Sequence, residues 1–268
     1  MAKVGPVTVP RKLTLTLAAL MTAQSLPGVI APELYRDVDW IKAAWYGNDW
    51  LTLVVAVPLL LISSAGARRS PRAFLLWAGA VWYAVYNYAF YLLGAALNAF
   101  FLIYVVCVVL AALLLILTLP RLDAAAMTMS ARPAVPLPVI AGAFIIIGVG
   151  LAVVWTAMWA AHVFAGRPTP VDPEVFRLVA ALDLSMMVPA LVAGGVLLWR
   201  RQAWGVVVPA IAGVQGSLYL AVLSLNSLIA IERGLATWPG ELVIWGPLAA
   251  VTAMTTLLLL ANVRTTNM

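Results

Sequence analysis

The sequence predicts an all-α, polytopic transmembrane helix bundle of about eight helices, and three observations lead there. Hydrophobic residues fill 65% of the 268 positions and charged residues only 10%, against about 25% charged in a soluble domain. A soluble chain of this length has no means of hiding so much apolar surface, because a polar exterior has to face water. Eight apolar stretches approach the ~20 residues that a bilayer core requires. Lastly, Lys and Arg gather in alternate loops, as the positive-inside rule expects.

The predicted spans, in order, are 13–32, 50–66, 73–95, 99–119, 137–164, 175–199, 203–225 and 242–263. The first follows Lys3, Arg11 and Lys12, a charge pattern shared with signal peptides. It is longer than a usual signal core and no small-x-small cleavage pattern follows, so it reads as a retained helix. The second is short. The third and fourth are separated by little more than Leu97 and Asn98, which demands a tight helical hairpin. The longest loop, 120–136, ends in Pro133 and Pro136, with Pro138 beyond; proline lacks the backbone donor and suits the start of a helix.

With the N-terminus inside, the cytoplasmic segments hold eleven Lys and Arg against Asp123 alone. Arg68, Arg69 and Arg72, and Arg200 and Arg201, are the densest groups. The opposite side holds five basic residues, Arg36 and Arg177 among them, against nine acids. The net charge of +6 is therefore a topology signal. Both termini are expected on the cytoplasmic side of a bacterial inner membrane, with the basic face against anionic lipid heads. No extramembrane segment is large enough to bind nucleic acid or to form a soluble catalytic unit.

The two halves, 1–134 and 135–268, resemble each other. Pro32-Glu33-Leu34-Tyr35-Arg36 parallels Pro173-Glu174-Val175-Phe176-Arg177. Val57-Pro58 parallels Val188-Pro189, Arg68-Arg69 parallels Arg200-Arg201, and Tyr91-Leu92 with Leu97-Asn98 parallels Tyr219-Leu220 with Leu225-Asn226. An even number of helices per half predicts a parallel repeat, with a pseudo-two-fold axis along the membrane normal.

Candidate site residues are the polar groups inside the spans. Asp49 and Asp183 stand at roughly corresponding places near the outer ends of the second and sixth spans. Asp49, just before its helix, reads as an N-cap. Asp183 is about eight residues inside, where a carboxylate is expensive; it reads either as a functional group or as a buried partner of Arg36 or Arg177. Glu33 with Arg36, and Glu174 with Arg177, are spaced for a salt bridge on a helix, or as a charged rim offering guanidinium forks to an anion. Asn87, Tyr91 and Asn98 match Gln215, Tyr219 and Asn226, at spacings that place each trio on one helix face. These stripes either join helices or line a shared cavity. Gln24 and Pro27 suggest a kink with a polar partner nearby. Tyr83 and Tyr86 lie too deep for an interfacial belt.

A single histidine, His162, and a single cysteine, Cys107, exclude His-rich metal sites, bis-histidine haem and CxxC chemistry within one chain. No nucleotide-binding, hydrolase or metalloprotease motif stands in the right context, and the last span has no lysine for a retinal Schiff base. No cofactor is expected. Tyr46-Gly47-Asn48-Asp49 with Val57-Pro58, the run from Tyr86 to Ala95, and Leu182-Asp183 with Val188-Pro189 resemble a family of bacterial multi-pass membrane proteins of unknown function. The resemblance covers most of spans two to seven and implies a class, without an activity. Three functions follow as expectations: a small-molecule or ion transporter with an outward-facing site between the halves, a membrane enzyme acting on a lipid or quinone, or a structural or sensory subunit.

Overall fold

The computed structural model describes residues 8–131, 135–169 and 171–263; Lys3, Arg132, Pro133 and Arg264, used above, lie outside them. Among the described residues there are nine helices and no strands. They are α1 (Arg11–Ile30), α2 (Asp39–Gly66), α3 (Pro71–Gly94), α4 (Phe101–Thr118), a short α5 (Ala124–Ser130), α6 (Leu137–Ala165), α7 (Pro173–Trp199), α8 (Val207–Glu232) and α9 (Leu242–Asn262). Seven of them are long and apolar enough to cross a membrane. The chain is a multi-pass membrane protein.

Of the two that are not, α5 is only seven residues long, while α3 is 24 residues long and carries Trp, Tyr and Asn side chains along most of its length. It is also the helix surrounded by others. Fourteen of its residues are buried, so protein rather than lipid surrounds it, and Tyr83, Tyr86, Tyr88 and Tyr91 find hydrogen-bond partners there.

Local chemistry sets the helix ends. Ser70 accepts from Ala73 N, with Pro71 at the first helical position of α3. Asp172 accepts from Glu174 N at 2.9 Å, with Pro173 opening α7. Asp123 caps α5 through Ala126 N at 2.8 Å. Each supplies an oxygen to amides that have no partner in the first turn. At the far end of the chain, Arg72 donates to the carbonyls of Ala261 (2.8 Å) and Val263 (2.7 Å), tying the last turn of α9 to the start of α3.

Both α2 and α7 contain a π-helical segment, Thr52–Ala56 and Asp183–Met187. In each, the valine that follows donates five residues back, Val57 to Thr52 and Val188 to Asp183. Pro58 or Pro189 comes next. Proline cannot donate to the carbonyl four residues back, and the widened turn is where the helix absorbs that loss.

Packing order follows one pattern twice. In the first ring α1 packs on α2, α2 on α3, α3 on α4, and α4 back on α1; in the second, α6 packs on α7, α7 on α8, α8 on α9, and α9 back on α6. The rings meet where α3 packs on α8, α8 on α2 and α3 on α7. Gly79 lets α3 and α8 approach, because a Cβ there would lie 2.4 Å from the Cβ of Val214.

Several expected boundaries move. The second span begins at Asp39, eleven residues before position 50, because Asp49 and Asn48 read as breaks in hydropathy yet are buried inside the bundle. The seventh runs to Glu232. The third ends at Gly94, so Asn98 is not on the helix face of Asn87 and Tyr91. It lies in the turn between α3 and α4, where its Oδ1 accepts from Phe100 N at 2.9 Å.

Candidate functional site

Asp49 does not cap a helix. It sits ten residues, about 15 Å, inside α2 and is fully buried. Three neutral donors hold it: Tyr35 Oη at 2.6 Å on Oδ2, and Gln24 Nε2 and Tyr91 Oη, both at 2.9 Å, on Oδ1. The cluster extends outward as Tyr88 Oη and Ser25 Oγ donate to Gln24 Oε1, at 3.1 and 3.2 Å. Aromatic rings close it. Tyr91 stacks on Trp45 (4.6 Å between centroids) and on Tyr104 (5.1 Å). Gly28 makes room, since a Cβ there would fall 2.0 Å from Asp49 Oδ2. Tyr35 reaches in from the loop between α1 and α2. Burial first, and the Asp49 carboxylate second, push its hydroxyl above the ordinary range, so it remains a donor.

Asp183 also lies ten residues inside its helix. Counted from the helix start it corresponds to Asp49. Counted from the Val-Pro pair it corresponds to Thr52, the first residue of the other π segment. It is 2% exposed. Tyr86 Oη donates to its Oδ1 at 2.6 Å and Trp155 Nε1 to its Oδ2 at 2.9 Å. Tyr86 comes from α3 and so crosses between the two rings; its own ring lies 4.8 Å from that of Tyr219 on α8. Thr52 and Tyr83 form the corresponding contact on the α2 side, with their hydroxyls 3.1 Å apart.

Neither carboxylate pairs with a cation among the described residues. Arg36 and Arg177 are exposed. Arg177 pairs with Glu174 on the first turn of α7, while Arg36 follows a single 3-10 turn, Pro32–Leu34, and forms no ion pair among the described residues. The buried ion pair expected of Asp183 is thus replaced by a tyrosine and a tryptophan. The physical reason is distance along the helix: Arg177 is six residues from Asp183 and points to the aqueous end.

The amide stripes divide. Asn226, with its nitrogen turned to the carbonyls, donates to Ala44 O (3.0 Å) and Val222 O (3.2 Å), joining α8 to α2. Arg233 lies 4.6 Å over the Tyr46 ring at the same end. Gln215 shares that face of α8 with Tyr219 and Asn226, so it looks toward the first ring. It is fully buried, and neither its nitrogen nor its oxygen has a hydrogen-bond partner among the described residues. Asn87 Nδ2 is likewise unpartnered, in a side chain 2% exposed. It stands one turn from both Tyr83 and Tyr91, whose hydroxyls reach Thr52 and Asp49, so it faces α2.

Of the sequence-derived candidates, the structure gathers Asp49 with Tyr91, and Asp183 with Tyr219 through Tyr86. Asn87 and Gln215 lie on the helix faces between these two groups, and Arg36 and Arg177 lie apart. Gln24 found the polar partner that its place beside Pro27 suggested. Trp155 and Tyr35 were not assigned to a site. Tyr35 had a signal, for the sequence match between 32–36 and 173–177 pairs it with Phe176, which has no hydroxyl. Phe176 packs against Trp155 at 5.3 Å, and the indole N–H supplies the donor that Phe176 lacks.

A separate groove of about 530 Å³ opens between α1 and the end of α2. Its lining is apolar except for Thr22, whose hydroxyl is already spent on Ala18 O at 2.9 Å. Compared with known protein families, curated proteins and solved structures, the chain matches none of them.

Proposed function

We propose that the chain is a transporter of a small molecule or ion, built from two four-helix halves, with its site at the seam where α2, α3, α7 and α8 meet. The observation that carries this reading is Asp183. It is a carboxylate in mid-span, at the junction of the two rings, held by two neutral donors and no cation. Such a group costs about 2.5–3.5 kcal/mol to place in a bilayer, and hydrogen bonds within membranes return only ~0.6 kcal/mol each on average. It is kept at a net loss unless a proton or a transported cation completes it.

The repeated ring order, the paired π segments before Val-Pro and the cross-seam packing support a parallel 4+4 repeat. With α3 counted as an eighth membrane helix, both termini would lie on one side, and the basic loops favour the cytoplasm for it. Asn87 and Gln215 keep donors and acceptors free on faces turned to the seam, as groups that replace a substrate's hydration would. A lipid- or quinone-directed enzyme is the weaker reading, since the lateral groove has no acid, base or free nucleophile on its walls.

The test is electrical and needs no prior substrate. Reconstituted protein on a solid-supported membrane is challenged with a panel of cations, anions and neutral solutes, with and without a pH gradient. Solute-dependent charge movement that disappears in Asp183→Asn is expected. The site assignment fails if Asp183→Asn and Asn87→Ala restore every phenotype of a deletion strain as well as the native chain does.

A further inference from the structure

We propose that the groove between α1 and α2 holds one acyl chain of an anionic phospholipid from the leaflet on the basic side of the protein. Its headgroup would rest on Arg11, Lys12, Arg68 and Arg69. This site is separate from Asp183 and does not rest on transport.

The argument starts from side-chain size. Leu15 and Leu26 of α1 stand out as ridges, with the exposed alanines Ala19 and Ala23 between them; Val57 and Leu61 of α2 form the opposite wall. Small residues between large ones leave a channel along the helix axis. From Leu15 to Pro27 it runs twelve residues, about 18 Å at the α-helical rise. That slightly exceeds half of a ~30 Å hydrocarbon core, which is the depth of one leaflet. The groove therefore fits a single chain that enters from one surface and stops near the bilayer middle.

Charge selects the surface and the headgroup. α1 and α2 run antiparallel, so the shallow end of the groove lies one turn from Arg11 and Lys12 and two turns from Arg68 and Arg69. All four are exposed, and none forms an ion pair among the described residues. Arg72, the next cation along, is already engaged by the carbonyls of Ala261 and Val263. Four unpaired cations around the mouth of a lipid-wide apolar channel suit a phosphate that carries a net negative charge. A zwitterionic headgroup would add an ammonium to a site that already repels it.

Native mass spectrometry of the detergent-purified protein, titrated with phosphatidylglycerol and with phosphatidylcholine of identical chains, tests the site. One phosphatidylglycerol is expected to remain bound where phosphatidylcholine is lost. Arg68→Ala with Arg69→Ala should weaken it about tenfold or more. Arg200→Ala with Arg201→Ala, at the matching end of α7 where no groove residue lies, should leave it unchanged. Ala19→Trp should abolish it by filling the channel, and Ala23→Leu offers the same test with a smaller side chain if the tryptophan variant does not fold. Equal retention of the two lipids, equal loss from the two arginine pairs, undiminished binding in a filled groove, or a second copy of the chain protecting this face would each overturn the proposal.

Discussion

Replacing Tyr86 by Phe removes a single hydroxyl from the seam and leaves the ring in place against Tyr219. In the native chain that hydroxyl lies 2.6 Å from Asp183 Oδ1, the short separation of a charge-assisted O–H···O bond. Hydrogen bonds to charged groups contribute about 1.5–3 kcal/mol in soluble proteins. Measured pairs within membranes average ~0.6 and reach ~1.7 kcal/mol. Burial and the short distance place this pair near the upper membrane value, about 1.5 kcal/mol, or roughly tenfold in the folding equilibrium. The clean measurement is a double-mutant cycle with Asp183→Leu, following SDS-induced unfolding in mixed micelles by tryptophan fluorescence. Each single variant removes the bond, and the double variant should cost about 1.5 kcal/mol less than the sum of the two. A coupling energy below ~0.3 kcal/mol would refute the claim that Tyr86 bridges the two rings through this carboxylate.

Gln215→Leu should stabilise the fold by up to about 1 kcal/mol, because an unpartnered buried amide is replaced by an apolar side chain of similar size, while any charge movement seen with the native protein falls; a clear drop in stability would mean that the amide is satisfied. Gly28→Ala forces a methyl group to within 2.0 Å of Asp49 Oδ2 and should cost about 1–3 kcal/mol, read as a lower thermal midpoint in detergent; an unchanged midpoint would mean that α1 does not press on Asp49. Arg72→Ala should speed amide hydrogen exchange in the last turn of α9 about tenfold, since two carbonyl partners are lost at a helix C-terminus; exchange at the native rate would remove that clamp.

Much of the fold was legible because membrane insertion is written in composition. Apolar runs near 20 residues act against lipid one run at a time, and a linear reading captures them; the caps Ser70 and Asp172 went unread. The readings that moved share a cause. Asp49 and Asn48 looked like the end of a span because hydropathy treats a carboxylate as exposed to solvent; inside the bundle it is solvated by Gln24, Tyr35 and Tyr91. Asn98 looked helical because its spacing from Asn87 and Tyr91 fits whole turns, yet α3 stops at Gly94. The match between Tyr91 and Tyr219 was visible as a pattern, but their partners differ: Tyr91 bonds to Asp49, and Tyr219 packs on Tyr86.

The sequence by itself determined that this chain enters a membrane as helices, and it singled out Asp49, Asp183, Asn87 and Gln215 as polar groups that a bilayer does not tolerate unaided. Those conclusions depend on transfer energies, which belong to each side chain separately. Only the tertiary structure decided what solvates them. Tyr86 lies 97 positions from Asp183 along the chain, and Gln24 lies 25 positions from Asp49. A hydrogen bond needs its partners within about 3 Å, and which helices come that close is set by packing, at contacts such as Gly79 against Val214. The same packing holds both carboxylates with neutral donors and leaves the Gln215 amide without a hydrogen-bond partner among the described residues.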